Sequence, residues 1–170
     1  MADADKIKIS PALTAAEKIA YQTALTNLEN GQFRQAGKAL LKIAGDHPDL
    51  AGPQANLGLV YLQTDKPDDA FEHAERSIQL NPALAQGYFL LGLINSHKHD
   101  YIEAEKNYRR AIELKKDYEN AYYNLALLYD KIYQQPEKAI PHYRTYLKLN
   151  GQKDQETIDW VNHLENSLHD

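Results

Sequence analysis

Few residues in this 170-residue chain are arranged in a way that would support catalysis or metal binding. The segment His97-Lys98-His99-Asp100 is a candidate metal site, because imidazole and carboxylate groups are common metal ligands. Its two histidines lack the four-residue spacing that places two ligands on one helix face, so a solvated turn is the favoured interpretation. The absence of cysteine excludes disulfides, thiolate metal sites and a cysteine nucleophile. We expect no metal and no cofactor.

The remaining polar motifs also argue against an enzyme. The sequence has no glycine-rich phosphate loop, and no serine lies in the pattern of a nucleophile elbow. Arg109-Arg110 and Lys115-Lys116 form a basic cluster, but acidic neighbours such as Glu113 are typical of a solvated helix face. A net charge of -5 at pH 7 is unfavourable for binding a phosphate backbone. We therefore expect no catalytic residue and no nucleic-acid partner.

The most regular feature of the sequence is a pattern with a spacing of 34 residues. Each copy contains aromatic residues, a Leu-Gly or similar small-residue step in its first half, and an alanine early in its second half. The small residues would let two helices of a pair approach closely, while larger ones fill the remaining space. The four copies are residues 17–50, 51–84, 85–118 and 119–153, with one extra residue between Tyr129 and Ala139 in the last.

Caps and apolar spacing divide each copy into two helices. Thr14 and Glu17 form a capping-box pattern that opens the first helix. Pro141 falls inside the last paired helix, so we expect a kink or a delayed helix start there. The predicted paired helices are 15–30, 33–46, 53–64, 67–80, 84–97, 101–115, 118–133 and 136–149. A ninth, half-polar helix should follow Gly151.

Over residues 17–153 the pattern resembles the tetratricopeptide repeat (TPR) family. The resemblance implies an all-α fold, a right-handed α-solenoid of four helix pairs. On this basis residues 1–14 are a flexible N-terminal segment, residues 15–153 the repeats, and residues 154–170 a helix that caps the apolar end. Trp160, the single tryptophan, either packs on the last repeat or anchors a partner.

In this family the first helix of each pair lines a concave groove, and this places a set of uncharged residues there. An amide in such a groove can pair with the main chain of a bound segment, because it both donates and accepts hydrogen bonds. Tyrosine offers a large contact area with a polar tip. The predicted partner-binding groove consists of Tyr21, Leu25, Ala55, Asn56, Leu59, Leu62, Phe89, Leu93, Tyr123, Asn124 and Leu127.

This groove favours a non-catalytic scaffold that binds a mainly apolar segment, either a helix or an extended peptide, of another protein. It does not suit the acidic tails of heat-shock proteins, which TPR co-chaperones hold with lysine and arginine. The corresponding positions here are Tyr21, Leu25, Asn56, Gln86 and Leu90, which carry no positive charge.

Three interpretations of the function remain open. The segment from Leu50 to Leu59 and the ending Ile158-Asp159-Trp160-Val161 resemble small bacterial TPR proteins of the cell envelope, several of them lipoproteins that support complex assembly. That resemblance implies a periplasmic or outer-membrane-associated protein, whose only link to the membrane would be a lipid anchor absent from this chain. A cytoplasmic location is the alternative. The second interpretation is a self-associating structural protein, and so a homo-oligomer. The third, RNA binding, is disfavoured by the acidic charge and the repeat length.

Overall fold

The computed structural model describes residues 13–168. Within that range the chain forms nine α-helices without a strand, an all-α helical-repeat fold as the sequence predicts. The helices group into two compact units, of which unit 1 ends at Pro82 and unit 2 begins at Ala83. No helix in residues 13–168 combines the length and apolar character that crossing a membrane requires. Of the predicted flexible segment 1–14, only Leu13 and Thr14 are among the described residues.

Unit 1 consists of two helix pairs whose contacts are made largely by alanine. Ala24, Ala36 and Ala70 have no exposed surface, so the helix backbones lie close together at these points. Leu40 and Leu57 are almost fully buried and fill the space between the pairs. The pairs are α1 (Ala15–Glu29) with α2 (Phe33–Asp46), and α3 (Ala51–Gln63) with α4 (Pro67–Leu80).

The capping box predicted at the start of α1 is present and also connects α1 with the end of α2. The Thr14 side chain accepts a hydrogen bond from the Glu17 backbone, and the Glu17 carboxylate accepts one from the Thr14 backbone at 2.7 Å. The same carboxylate lies 2.9 Å from His47 Nε2. The hydrogen bond with His47, followed by those from Thr14, lowers the pKa of Glu17 to about 2.

Replacing Glu17 with glutamine should make unfolding less sensitive to acid. A carboxylate whose pKa falls from 4.5 to about 2 on folding stabilises the folded state fully above pH 4.5. That contribution is lost as the pH falls from 4.5 towards 2. We therefore expect wild type to lose more stability across this interval than Glu17→Gln, as measured by urea unfolding at several pH values. Parallel pH profiles for the two proteins would contradict the assignment.

Unit 2 consists of two helix pairs and a final helix, and two of its helices approach closely at Gly92. A Cβ atom on Gly92 would lie 2.5 Å from ring atoms of Tyr108, which is 1% exposed. The predicted close approach of the two helices at Gly92 is confirmed. The helices are α5 (Ala85–His97), α6 (Tyr101–Leu114), α7 (Glu119–Leu127), α8 (Pro136–Leu149) and α9 (Gln155–Ser167).

The extra residue of the fourth repeat is taken up by a change of helix type. The predicted helix 118–133 is α-helical only over Glu119–Leu127, and it continues as a π-helix over Leu128–Ile132, the π segment. A π turn adds one residue without breaking the helix, and such turns are frequent at functional sites. The expectation of an α-helix throughout 118–133 was therefore wrong.

Of the two expectations at Pro141, a kink or a delayed helix start, the delayed start is not observed. Helix α8 begins at Pro136 and runs through Pro141 to Leu149. Pro141 has no backbone N–H, so the carbonyl of Glu137 lacks its usual hydrogen bond within the helix. Both residues are exposed, so water can take the place of that donor. The insertion and Pro141 therefore have separate structural consequences, since the insertion is absorbed before α8 begins.

Helix α9 packs on α8 through its apolar side chains. Val161 and Leu164 are 5% and 7% exposed and belong to the same core cluster as Tyr143 and Leu147. Asp154 caps the helix by accepting hydrogen bonds from the backbone and side chain of Thr157 at 3.0 and 2.7 Å. These bonds lower the pKa of Asp154. Helix α9 thus covers apolar surface of the last helix pair, the position that the sequence predicts for it.

Candidate partner-binding site

The largest cleft identified in unit 2 lies between α5 and the C-terminal part of α7. Its volume is about 620 Å³, which is within the usual range for ligand sites. Leu93 lines it from α5, and Asn124 and Leu127 line it from α7. The π segment adds Leu128, Lys131 and Ile132, so the inserted residue shapes one wall of this cleft. We call it the main cleft.

Asp130 in the π segment holds that wall in position. Its side chain is 7% exposed, and its Oδ2 accepts hydrogen bonds from Trp160 Nε1 at 2.7 Å and from Tyr143 Oη at 3.1 Å. Lys131 Nζ lies 3.1 Å from the same oxygen and 3.6 Å from the centre of the Trp160 ring. One carboxylate therefore ties the π segment to α8 and α9, and a cation–π contact adds to it. Trp160 packs within unit 2, in agreement with the interpretation that it packs on the last repeat.

A smaller cleft of about 210 Å³ lies beside the main one. It is lined by Tyr123, Thr157 and Trp160, and it shares Leu127 and Lys131 with the main cleft. The main cleft has an apolar floor, the smaller cleft is also lined by Asp154 and Glu156, and Lys131 lies where the two meet. This arrangement can hold large apolar side chains beside a polar group.

The structure brings some of the predicted groove residues of unit 2 together and separates others. Leu93, Asn124 and Leu127 line the main cleft, whereas Tyr123 lines the smaller one. Tyr123 also packs against Tyr146, with ring centres 4.8 Å apart. Asn124 Nδ2 donates to the carbonyl of Asn120 in its own helix at 2.8 Å, so one of its donors is already used.

Phe89 is the predicted groove residue of unit 2 that lies outside both clefts. Its ring packs against Tyr118 and Tyr108, with ring centres 4.9 and 6.0 Å apart. Burial raises the pKa of Tyr118 to about 12, in agreement with a phenol held in apolar surroundings. Phe89 therefore contributes mainly to the packing of α5 against α6 and the start of α7.

Two of the predicted groove residues in unit 1 are buried instead of exposed. Ala55 has no exposed surface, and Asn56 is 4% exposed. The Asn56 amide donates to Tyr21 Oη at 2.7 Å and so cross-links α3 with α1. The expectation that Asn56 pairs with the main chain of a bound segment is corrected by this contact. Tyr21 itself is half-buried, and so are Leu25, Leu59 and Leu62.

Several residues that line the main cleft were not predicted from the sequence. They come from the end of α5, the turn that follows it and the start of α6, and they are Ser96, His97, His99 and Tyr101. His99 Nδ1 lies 2.7 Å from Tyr101 Oη, and no group of three potential metal ligands occurs among residues 13–168. One signal in the sequence could have indicated the cleft. The extra residue of the fourth repeat marks the π segment, which lines the same cleft as these side chains.

Comparisons with known proteins agree with this fold. A family model described as tetratricopeptide repeat matches residues 52–84 and 85–118. The chain is 27% identical over 132 residues to superkiller complex protein 3 of the mouse, Mus musculus. That match covers 75% of this chain but 8% of the mouse protein. The chain thus spans less than a tenth of the length of the curated relatives it matches, 8% and 7% of them.

Two solved structures share the fold. TTC0263, a thermophilic TPR protein from Thermus thermophilus, matches with a TM-score of 0.75 at 19% identity and covers 87% of this chain and 80% of its own. The pilF protein of Pseudomonas aeruginosa matches with a TM-score of 0.78 at 21% identity and covers 91% of this chain and 69% of its own. Repeats of this kind support a role as a protein–protein interaction scaffold. The helix pairs and these structures show that the chain has the helical-repeat fold of tetratricopeptide repeat proteins, and its residues 52–84 and 85–118 match the model of that repeat.

Proposed function

We propose that this protein is a non-catalytic scaffold that binds an apolar segment of a partner protein on the cleft surface of unit 2. The observation that carries the proposal is the main cleft of about 620 Å³, whose walls contain Leu93, Leu127 and Ile132. Ile132 is 41% exposed, and covering it would favourably remove apolar surface from water. A helix that presents apolar residues on one face would cover it.

The geometry favours a partner segment with large apolar side chains and an uncharged polar group beside them. The floor of the main cleft would take the apolar side chains, while Lys131 at the junction of the two clefts would donate a hydrogen bond to a carbonyl. Asp130 and Trp160 hold the Lys131 side chain in place. A partner would therefore meet a preformed surface and would lose little binding free energy to ordering it.

Replacing Ile132 with aspartate should weaken partner binding at least tenfold, because a charge would have to be buried in an apolar contact. Ile102→Asp is the matched control, since Ile102 is 66% exposed on α6 and does not line either cleft. Each variant would be used to capture partners from extracts of cells that make the protein. Equal capture of partner by wild type and Ile132→Asp would contradict the proposal. An equal reduction in captured partner for Ile132→Asp and Ile102→Asp would also contradict it.

The suggested role in a bacterial envelope complex is a further part of this proposal, and it rests on the sequence resemblance to small envelope TPR proteins. Fractionation of cells that produce the full native protein tests it. We expect the protein in the envelope fractions, and its recovery in the cytoplasm would contradict an envelope role without affecting the proposed cleft. Light scattering over a range of concentrations tests the self-associating alternative, which predicts a mass that increases with concentration.

A further inference from the structure

Unit 1 contains a second cleft, between α2 and α3, that the proposed function does not use. Its volume is about 430 Å³. Leu41, Val60 and Tyr61 form its floor, and Arg34, Lys38 and Lys66 form its rim. Neither Leu59 nor Leu62 is among its lining residues, so it uses a different face of α3 from the predicted groove. We call it the basic cradle.

At the cradle α2 has a glycine where the other second helices have larger residues. Gly37 is the fifth residue of α2, and the fifth residues of α4, α6 and α8 are Phe71, Glu105 and Ile140. A Cβ atom on Gly37 would lie 3.2 Å from Val60 Cγ1, so the glycine lets α2 and α3 pack closely here. The floor is accessible mainly through Leu41, which is 50% exposed.

The equivalent interface in unit 2 is closed. There Glu105 and Arg109 of α6 both bond to the hydroxyl of Tyr129, which donates to Glu105 and accepts from Arg109. In unit 1 the same repeat positions hold Gly37, Leu41 and Tyr61. Tyr61 thus receives no bond of this kind from α2. Leu41, which is 50% exposed, stands where α6 has Arg109 and cannot make its hydrogen bond.

The charge around the cradle defines what could occupy it. Its rim has three cationic side chains, and none of the described residues that line it is acidic, in a chain whose net charge is -5. A partner with carboxylates would be attracted to this local positive potential. The apolar floor favours a peptide over an isolated phosphate group, since a phosphate has no side chain to bury there.

We infer that the basic cradle is a docking site for an acidic linear segment of another protein, with a large aliphatic side chain that packs on Leu41 and Val60. Carboxylates on either side of that side chain would pair with Arg34, Lys38 and Lys66. The basic cradle and the main cleft belong to different units, so a negative result for one proposal does not contradict the other.

The test uses fluorescence anisotropy and a labelled eight-residue peptide of alternating leucine and aspartate, titrated with the whole protein at low salt. We expect saturable binding that Lys38→Glu weakens at least tenfold and that Leu41→Asn also weakens. Lys18→Glu is the matched control, because it makes the same charge change on an exposed part of α1 and should alter binding less than twofold. Circular dichroism of each variant confirms that its helices are retained.

Several outcomes would overturn the inference. Absence of saturable binding would do so, as would equal effects of Lys38→Glu and Lys18→Glu, which would indicate attraction by overall charge alone. Equal binding of a peptide with serine in place of leucine would show that the apolar floor is not used. A dimer that Lys38→Glu dissociates, seen by light scattering, would instead assign the cradle to a second copy of this chain.

Discussion

Gly92→Leu is expected to destabilise unit 2 by about 3 kcal/mol, the upper part of the usual range for overpacking a core. The first added atom would lie 2.5 Å from ring carbons of Tyr108. That ring is 1% exposed, and its hydroxyl is 3.1 Å from Ser96 Oγ, so it has little room to move away. Leucine has a better helix propensity than glycine, but that gain of about 1 kcal/mol is too small to compensate.

Urea unfolding followed by Trp160 fluorescence measures this effect directly, because the single tryptophan lies in unit 2. Gly45→Leu in α2 is the control, since a Cβ atom at Gly45 would meet no other atom within 4 Å. Because Gly45 lies in unit 1, the unfolding of the control is followed by circular dichroism, and we expect it to be at least as stable as wild type. A Gly92→Leu protein with an unchanged unfolding midpoint would refute the close contact between α5 and α6.

Asp130→Leu should be the second most damaging change, with a loss of about 3 kcal/mol. It would leave Trp160 Nε1 and Tyr143 Oη without their acceptor, and an unsatisfied buried donor costs about 1–3 kcal/mol. The same change would release Lys131 from its position between the two clefts. We therefore expect both a less stable unit 2 and a red-shifted Trp160 emission as α9 separates from the π segment.

Asp130→Asn distinguishes the loss of hydrogen bonds from the loss of charge. Its amide oxygen can still accept from Trp160 and Tyr143, so we expect less than half of the destabilisation seen with leucine. If asparagine and leucine destabilise unit 2 equally, the negative charge and not the pair of hydrogen bonds is the main contribution. An unchanged emission spectrum in Asp130→Leu would contradict the proposed connection between the π segment and α9.

The spacing of the repeats was sufficient to predict most helices. The predicted bounds of three helices agree to the residue with the structure: 33–46 for α2, 67–80 for α4 and 136–149 for α8. Alanine and glycine at fixed positions identify the points where backbones meet, because few other residues permit such a close approach. The fold could therefore be read from periodicity and from the sizes of side chains at a few positions.

The details of the surface could not be read in the same way. Periodicity places Asn56 on one face of a helix, but it does not reveal that its amide bonds to Tyr21 in another pair. An added residue near Tyr129 is visible in the sequence, whereas its accommodation as a π turn depends on the packing of Asp130 against α8 and α9. Both features depend on contacts between segments far apart in the chain, which a repeat pattern does not specify.

Partner binding in the main cleft is the claim on which the proposed function depends most. Site-specific photocrosslinking tests this claim, with a photoreactive phenylalanine at Asn124 in the cleft and, as the control, at the exposed Glu113 on α6. After irradiation in cells that make the protein, we predict a discrete protein adduct from position 124 and none from position 113. Adducts of the same kind and yield at both positions, or an adduct from position 113 alone, would contradict the claim.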